Sequence, residues 1–319
     1  MFRSRRATLA ECAVGKTALV FTLRRLDPSA ASIAADIVAV DALLQAAYNA
    51  PSWRFRVERG LALQPDGWVV VCADATDVIV GSGGFLAFPS AGFGWIGLVA
   101  THPDHQRQGV ARTITQFLVD RLGEHGCAAA LDGSASGAPL YASMGFVDHG
   151  VATLLTIDDP AGAAASLAAR IPPNAIRVRA ASLAHLEVIT RFDEGCFGGS
   201  REPLLRRLLT EFPGRAALAI DATGAVRGYV IAQADAIGPL VVTGDGDASD
   251  ARDALLEWSL RRTWSAAPRV IVPPDSDHLD AVRAAGFELQ RELRHQRLGI
   301  DHLPGVRGAV VAQVSFGEG

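Results

Sequence analysis

The chain repeats itself. Ile96-Gly97 recurs as Ile237-Gly238, and Gly145-Phe146 recurs as Gly286-Phe287, both at an offset of 141 residues. Apolar runs and helical spacings follow one another in the same order around both pairs. A shared offset within a shared order of elements constrains the chain to two copies of one plan. At 319 residues it is long enough for two cores. The expected organisation is an extension over 1–20, a first domain over 21–158, a linker over 159–174, a second domain over 175–301 and a tail over 302–319. The linker, "DDPAGAAASLAARIPPNA", is rich in Ala, Pro and Gly, with room for one helical turn. The alternating tail reads as an extra strand exchanged between halves or subunits, or as disorder in its last few residues.

Each copy reads as an α/β, mostly antiparallel mixed sheet flanked by helices. In the first, "VFTLRRL", "GWVVVCA", "DVIVGSGGFLAF", "GWIGLVAT", "CAAALDG" and "FVDHGVATLLTI" are strand candidates, the third broken by turn residues. Helical spacing marks "SIAADIVAVDALLQAAYNA" and "PSWRFRVERGLAL". It also marks the segment in which Val110, Ile114, Phe117, Leu118 and Leu122 recur before Gly123 and Gly126.

Hydrophobic residues at 49% and charged residues at 20% describe a globular chain. A net charge of −4 offers no basic footprint for nucleic acid or an anionic membrane. No apolar run reaches the length of a membrane span, and the Arg-rich start lacks a secretory apolar core. A reduced, cytoplasmic protein is expected, as a monomer or homodimer. The four cysteines (Cys12, Cys72, Cys127, Cys196) form no C-x-x-C pair, so no metal is expected. Gly15-Lys16-Thr17 imitates the end of a phosphate-binding Walker loop, but Ala10 stands where that loop needs its first glycine.

Chemistry enters at "HQRQGVAR", His105 to Arg112. It follows a strand and opens a helix. Such a junction presents unpaired backbone N–H groups and the positive end of the helix dipole, which suits phosphate or pyrophosphate. Gly109 permits close backbone approach, Ala111 keeps the next position slim, and Arg107 and Arg112 add positive potential. On these residues alone, a tight turn with solvated arginines remains the competing reading.

Gln106-Arg107-Gln108-Gly109-Val110-Ala111 resembles the Gln/Arg-x-x-Gly-x-Gly/Ala signature of the GCN5-related N-acetyltransferase (GNAT) superfamily. "GAPLYASMGF", with Tyr141 ahead of Gly145-Phe146, resembles a second feature of that family. The whole chain resembles a tandem subgroup, an acetyltransferase domain followed by a divergent copy. The resemblance implies acetyl-CoA as cosubstrate and direct transfer to a primary amine of a small molecule in a ternary complex. It implies that the backbone of Leu98, Val99 and Ala100 pairs with pantetheine. The amides of Gln108, Gly109, Val110 and Ala111 would hold pyrophosphate, with Ser134, Ser136 and Pro139 nearby. Tyr141 would protonate the leaving thiolate; the competing reading is a packing aromatic with its hydroxyl bonded to backbone.

For the base, "GWIGLVATHP" carries no carboxylate; His102 and Asp132 are the candidates, with Asp104 and His105 beside the phosphates. Acceptor recognition is expected from Tyr48 and Trp53, and from Asp193, Phe197 and Arg201 in "RFDEGCFGGSREPLLRRLL". There a capped turn with an exposed Arg201 is equally open. Cys196 has no histidine partner to make it a nucleophile. The second copy carries Asp245, Asp247 and Asp250 in place of the signature, and Val282 in place of Tyr141. It is expected to have lost acyl-CoA binding and to shape the acceptor site. An acyl-CoA sensor, and a protein or peptide acetyltransferase, stand as alternatives.

Overall fold

The computed structural model describes residues 7–8, 21–49, 51–73, 77–243 and 248–319. Cys12, the Gly15-Lys16-Thr17 segment, Asp245 and Asp247 lie outside the described residues. The fold is α/β, with mostly antiparallel sheets flanked by helices. By compactness it divides into two units: 1–87 with 94–129, and 88–93 with 130–319.

The first unit contains β1 (Ala7–Thr8), β2 (Phe21–Arg25), α1 (Ile33–Tyr48), α2 (Arg54–Leu63), β3 (Trp68–Ala73), β4 (Val78–Phe88), β5 (Phe93–Thr101) and α3 (Val110–Glu124). The strands lie side by side in chain order. Ile37, Val40 and Leu44 recur at helical spacing on α1. With Val57 and Leu61 of α2 they pack against Val70, Cys72 and Ile79 of the sheet. α1 ends at Asn49 in the left-handed conformation, φ 48°. Asp36 in its first turn receives both guanidinium nitrogens of Arg24, at 2.7 and 3.1 Å.

β4 runs unbroken through "VIVGSGGFLAF", and its glycines are packing devices. A Cβ on Gly81 would collide with Val110 and Ile114, and one on Gly83 would sit 2.7 Å from Ile114 Cγ2. Bare backbone at these positions lets α3 lie directly on the strand.

The second unit contains β6 (Ala128–Gly133), α4 (Ala138–Ala142), β7 (Val147–Thr156), α5 (Pro160–Ala168), β8 (Ile176–Ala181), α6 (Leu186–Phe197) and α7 (Glu202–Glu211). It continues with β9 (Ala216–Asp221), β10 (Val226–Ala232), β11 (Ile237–Val242), α8 (Ala248–Leu260), β12 (Arg269–Val272), α9 (Leu279–Ala284), β13 (Glu288–Leu298) and β14 (Val310–Ala312). The series from β8 to β13 repeats the series from β2 to β7 element for element. Gly145 and Gly286, one repeat apart, both adopt positive φ, 92° and 97°.

The final strands of the two copies are exchanged. β6, β13, β7 and β12 lie in that order, so β13 of the second copy pairs with β6 of the first, and β7 of the first with β12 of the second. β7 and β13 run antiparallel to each other, with Ala152 opposite Leu293, its own equivalent 141 residues on. A local pseudo-twofold axis therefore passes between them. The other sheet runs β14-β11-β10-β9-β8.

The segment after β7 and the tail both add structure to the second unit. Residues 159–174, expected as a linker with room for one helical turn, hold a packed helix of 9 residues. Asp159 caps α5 by accepting the Gly162 N–H at 2.9 Å, and Ala163, Ala164 and Leu167 pack into the core with Ala251 and Leu255 of α8. An alanine-rich stretch with a cap and a proline at its first turn is a good helix. The tail is ordered to its end: β14 pairs with β11, the Gln313 N–H donates to Ile271 of β12 at 2.9 Å, and Val314 and Ser315 are buried.

Candidate functional site

The loop between β5 and α3 is built from alternating backbone conformations. Pro103–His105 form a 3-10 turn, Gln106 is extended, Arg107 has φ 59° and Gly109 has φ 84°. Such alternation, running into the first turn of a helix, gathers unpaired N–H groups into an anion-binding concavity. Gly109 is the N-cap of α3; among the described residues no side chain caps the helix, and a Cβ there would meet nothing within 4 Å. Glycine is needed at this position for its φ, and the space above it is open. Gln106, Arg107, Gln108, Gly109 and Arg112 are exposed, Ala111 half-buried and Val110 buried.

Within β5, a few residues before this loop, Leu98 has φ 53°, an uncommon conformation for a branched side chain. It interrupts the regular strand just where Leu98 and Val99 become half-buried and Ala100 returns to the core. The Tyr48 hydroxyl donates to the Val99 carbonyl at 2.9 Å, and the Tyr48 ring meets Trp53 edge-on at 5.5 Å. Trp53 Nε1 is a buried donor without a partner among the described residues. The first unit thus brings both expected acceptor aromatics to β5 beside Leu98.

In the second unit, Ser134 and Ser136 are exposed and bonded to each other at 3.0 Å, and Pro139 is exposed in α4. Tyr141 is buried, and burial pushes its phenol up to about 12. Its hydroxyl makes no hydrogen bond among the described residues, which disfavours a purely structural phenol.

Both base candidates have other work. His102 Nδ1 accepts the Asp104 N–H at 3.4 Å, holding the 3-10 turn. The Asp132 side chain is fully buried. It accepts His295 Nδ1–H at 2.8 Å and Gln313 Nε2–H at 2.8 Å. His295 Nε2 in turn accepts Arg297 Nε–H at 2.9 Å, which fixes the tautomer with its proton on Nδ1. Arg297 continues to Asp275. This chain ties β6 to β13 and to the tail, and nothing in sequence spacing announces partners so far apart.

Asp193, Phe197 and Arg201 do not face an acceptor; that expectation is corrected. Arg201 is 1% exposed and Asp193 0%. The guanidinium grips the carboxylate at 2.7 and 2.9 Å and stacks on Phe197 at 4.3 Å, while the Tyr229 hydroxyl donates to the same carboxylate. The exposed-arginine alternative fails too, because an arginine with such partners is a core ion pair. Burial, with Asp193 nearby, pushes the Cys196 thiol up to about 11, away from nucleophilic use.

The second copy departs from the first at each matching point. Pro239, which brings no N–H, stands for Leu98. Leu240 and Val241, matching Val99 and Ala100, pair with Ala312 and Val310 of β14. Asp250 lies in the first turn of α8, and Val282 is fully buried in α9.

Residues 38–146 match the model of the acetyltransferase (GNAT) family. No curated protein matches the chain. Among solved structures, a Pyrococcus horikoshii protein assigned as an acetyltransferase has a TM-score of 0.73 at 20% identity, over 98% of this chain and 99% of that one. The GCN5-related N-acetyltransferase of Sphaerobacter thermophilus gives 0.62 at 17%, over 89% and 98%. A tandem GNAT protein from the clavulanic acid biosynthesis pathway gives 0.59 at 18%, over 88% and 100%. At such identities the structures speak for the fold. Fold and family segment together define an acyltransferase, with the GNAT family match lying in residues 38–146. No helix among the described residues is long and apolar enough to cross a membrane.

Proposed function

We propose that the chain is an acetyl-CoA-dependent N-acetyltransferase acting on a primary amine of a small molecule, with 21–158 catalytic and 175–301 a divergent copy. The observation that carries this reading is the loop from Gln106 to Ala111, whose backbone N–H groups open onto free space above Gly109 at the start of α3. Those amides hold the pyrophosphate, Arg107 and Arg112 add potential, and Leu98 to Ala100 pair with pantetheine. Ser134, Ser136 and Pro139 flank the cosubstrate. Tyr48 and Trp53 line the acceptor side, where the unpartnered Trp53 N–H is available to a polar group.

In the reaction the neutral amine attacks the thioester carbonyl. The tetrahedral intermediate then expels the thiolate, which takes the Tyr141 proton; the proton released by the amine returns to the phenolate. A phenol held near 12 is protonated throughout the working range. Its lack of a protein partner favours the enzyme over an acyl-CoA sensor, which has no use for such a donor.

Occupation of the β11 edge by β14 supports a single acyl-CoA site per chain. Calorimetric titration with acetyl-CoA should give a stoichiometry of one, reduced to none by Gly109→Trp. Two sites would overturn the assignment of the second copy, and no binding would overturn the function. An amine screen with acetyl-CoA then identifies the acceptor.

A further inference from the structure

We infer that Gln296, on the exchanged strand β13, is a positioning residue for Tyr141. This rests on the reading of Tyr141 as the thiolate's acid, and adds a contribution from the second copy to the chemistry of the first.

Three observations converge on Gly133, the last residue of β6. A Cβ there would sit 3.0 Å from Tyr141 Cδ2 and Cε2 and 3.2 Å from Gln296 Oε1. The ring and the amide oxygen therefore close over the same bare backbone. Gln296 is 2% exposed; its Nε2 donates to the Ala138 carbonyl of α4, the helix that carries Tyr141, at 3.4 Å. Its Oε1 is buried without a hydrogen-bond partner among the described residues. A carbonyl oxygen left in this way costs free energy unless something offsets it. The electropositive edge of an aromatic ring is the neighbour that best tolerates it.

The seat is also braced from behind. Asp132, next to Gly133, is held by His295 of β13 and by Gln313 of the tail. Residues of β13 and the tail thus bear on both Gly133 and its neighbour Asp132. The preservation of a copy with valine at the acid's position then has a chemical reason.

The chain has three tyrosines, so protein labelled with 3-fluorotyrosine should give three fluorine resonances, with Tyr141 assigned by its loss in Tyr141→Phe. Gln296→Met keeps the volume and removes the amide. It should shift and broaden the Tyr141 resonance and leave those of Tyr48 and Tyr229 in place. With acetyl-CoA and the amine found by the screen, kcat should fall about tenfold, with KM for acetyl-CoA within about twofold. Added to Tyr141→Phe, Gln296→Met should cost nothing further.

A stationary Tyr141 resonance, or an equal loss in both backgrounds, overturns the inference. If Tyr141→Phe is slow while Gln296→Met runs at full speed, only the positioning role falls. If Tyr141→Phe is itself as fast as the parent, the acid falls with it. Should Gln296→Met disturb all three resonances, Gly133→Ala presses on the same seat without altering β13. A Tyr141 signal unmoved by that methyl sinks the proposal.

Discussion

β5 and β11 carry the same strand edge to different ends. At Leu98 and Val99 the first copy leaves it half-buried, beside a residue with φ 53°. At Leu240 and Val241 the second copy buries it completely under β14. A strand edge needs a hydrogen-bonding partner whether or not it still serves a ligand. The comparison teaches that the second copy closes with its own tail strand an edge that the first copy leaves half-buried.

The sharpest test of the comparison is energetic. Arg201→Met strands the Asp193 carboxylate in the core of the second copy and should lower unfolding stability by about 3–5 kcal/mol in urea titrations. In the first unit, Arg121 and Asp66 form a pair whose side chains are 23% and 25% exposed. Arg121→Met should cost no more than about 1 kcal/mol. Equal losses would break the contrast between a core ion pair and a surface clasp.

Next in size is Tyr141→Phe, expected to lower kcat about 100-fold with acetyl-CoA affinity unchanged by calorimetry. Val282→Tyr in the second copy should restore none of it, because the neighbouring edge is closed. Recovery would mean that the second slot still receives acyl-CoA.

A smaller effect separates the copies by pH. Burial, with the charge of Arg252 adding to it, holds the His278 imidazole of the second copy down to about 4. A depressed histidine contributes stability that is present above its unfolded value of about 6.5 and is lost as pH falls through about 4. Unfolding free energies from urea titrations should decline by roughly 2–3 kcal/mol over that window and decline less in His278→Asn. A parallel decline in both proteins rules His278 out as the source.

The smallest effect tests equivalence. Gly145→Ala and Gly286→Ala each place a methyl at positive φ with its nearest contact 3.4 and 3.6 Å away. Both should cost about 1 kcal/mol, from backbone strain alone. Unequal costs would show that the two turns are not the same device.

Much of this was legible beforehand. The 141-residue offset predicted the repeated element order, and the residues from Gln106 to Ala111 were placed at a strand-to-helix junction by local pattern. The rest depends on contacts between distant segments. Gly81 and Gly83 read as turn residues because only the packed α3 explains them. Arg201 read as a surface or cleft residue because arginine is seldom buried, and its partners Asp193 and Tyr229 come from other elements. Asp132 reads as a candidate base because the partners that occupy it, His295 and Gln313, lie 163 and 181 positions away. The exchange of β7 and β13 is invisible to periodicity, since a strand's alternation tells which face is buried and not which neighbour it has.

That exchange bears on what a gene fragment would make. A chain cut after β7 would keep β6 and β7 but lack the strand that lies between them. The pairing of Ala152 with its own equivalent means that β7 from a second molecule fits where β13 now lies. The fragment should therefore assemble as a symmetric dimer, turning the pseudo-twofold axis into a true one.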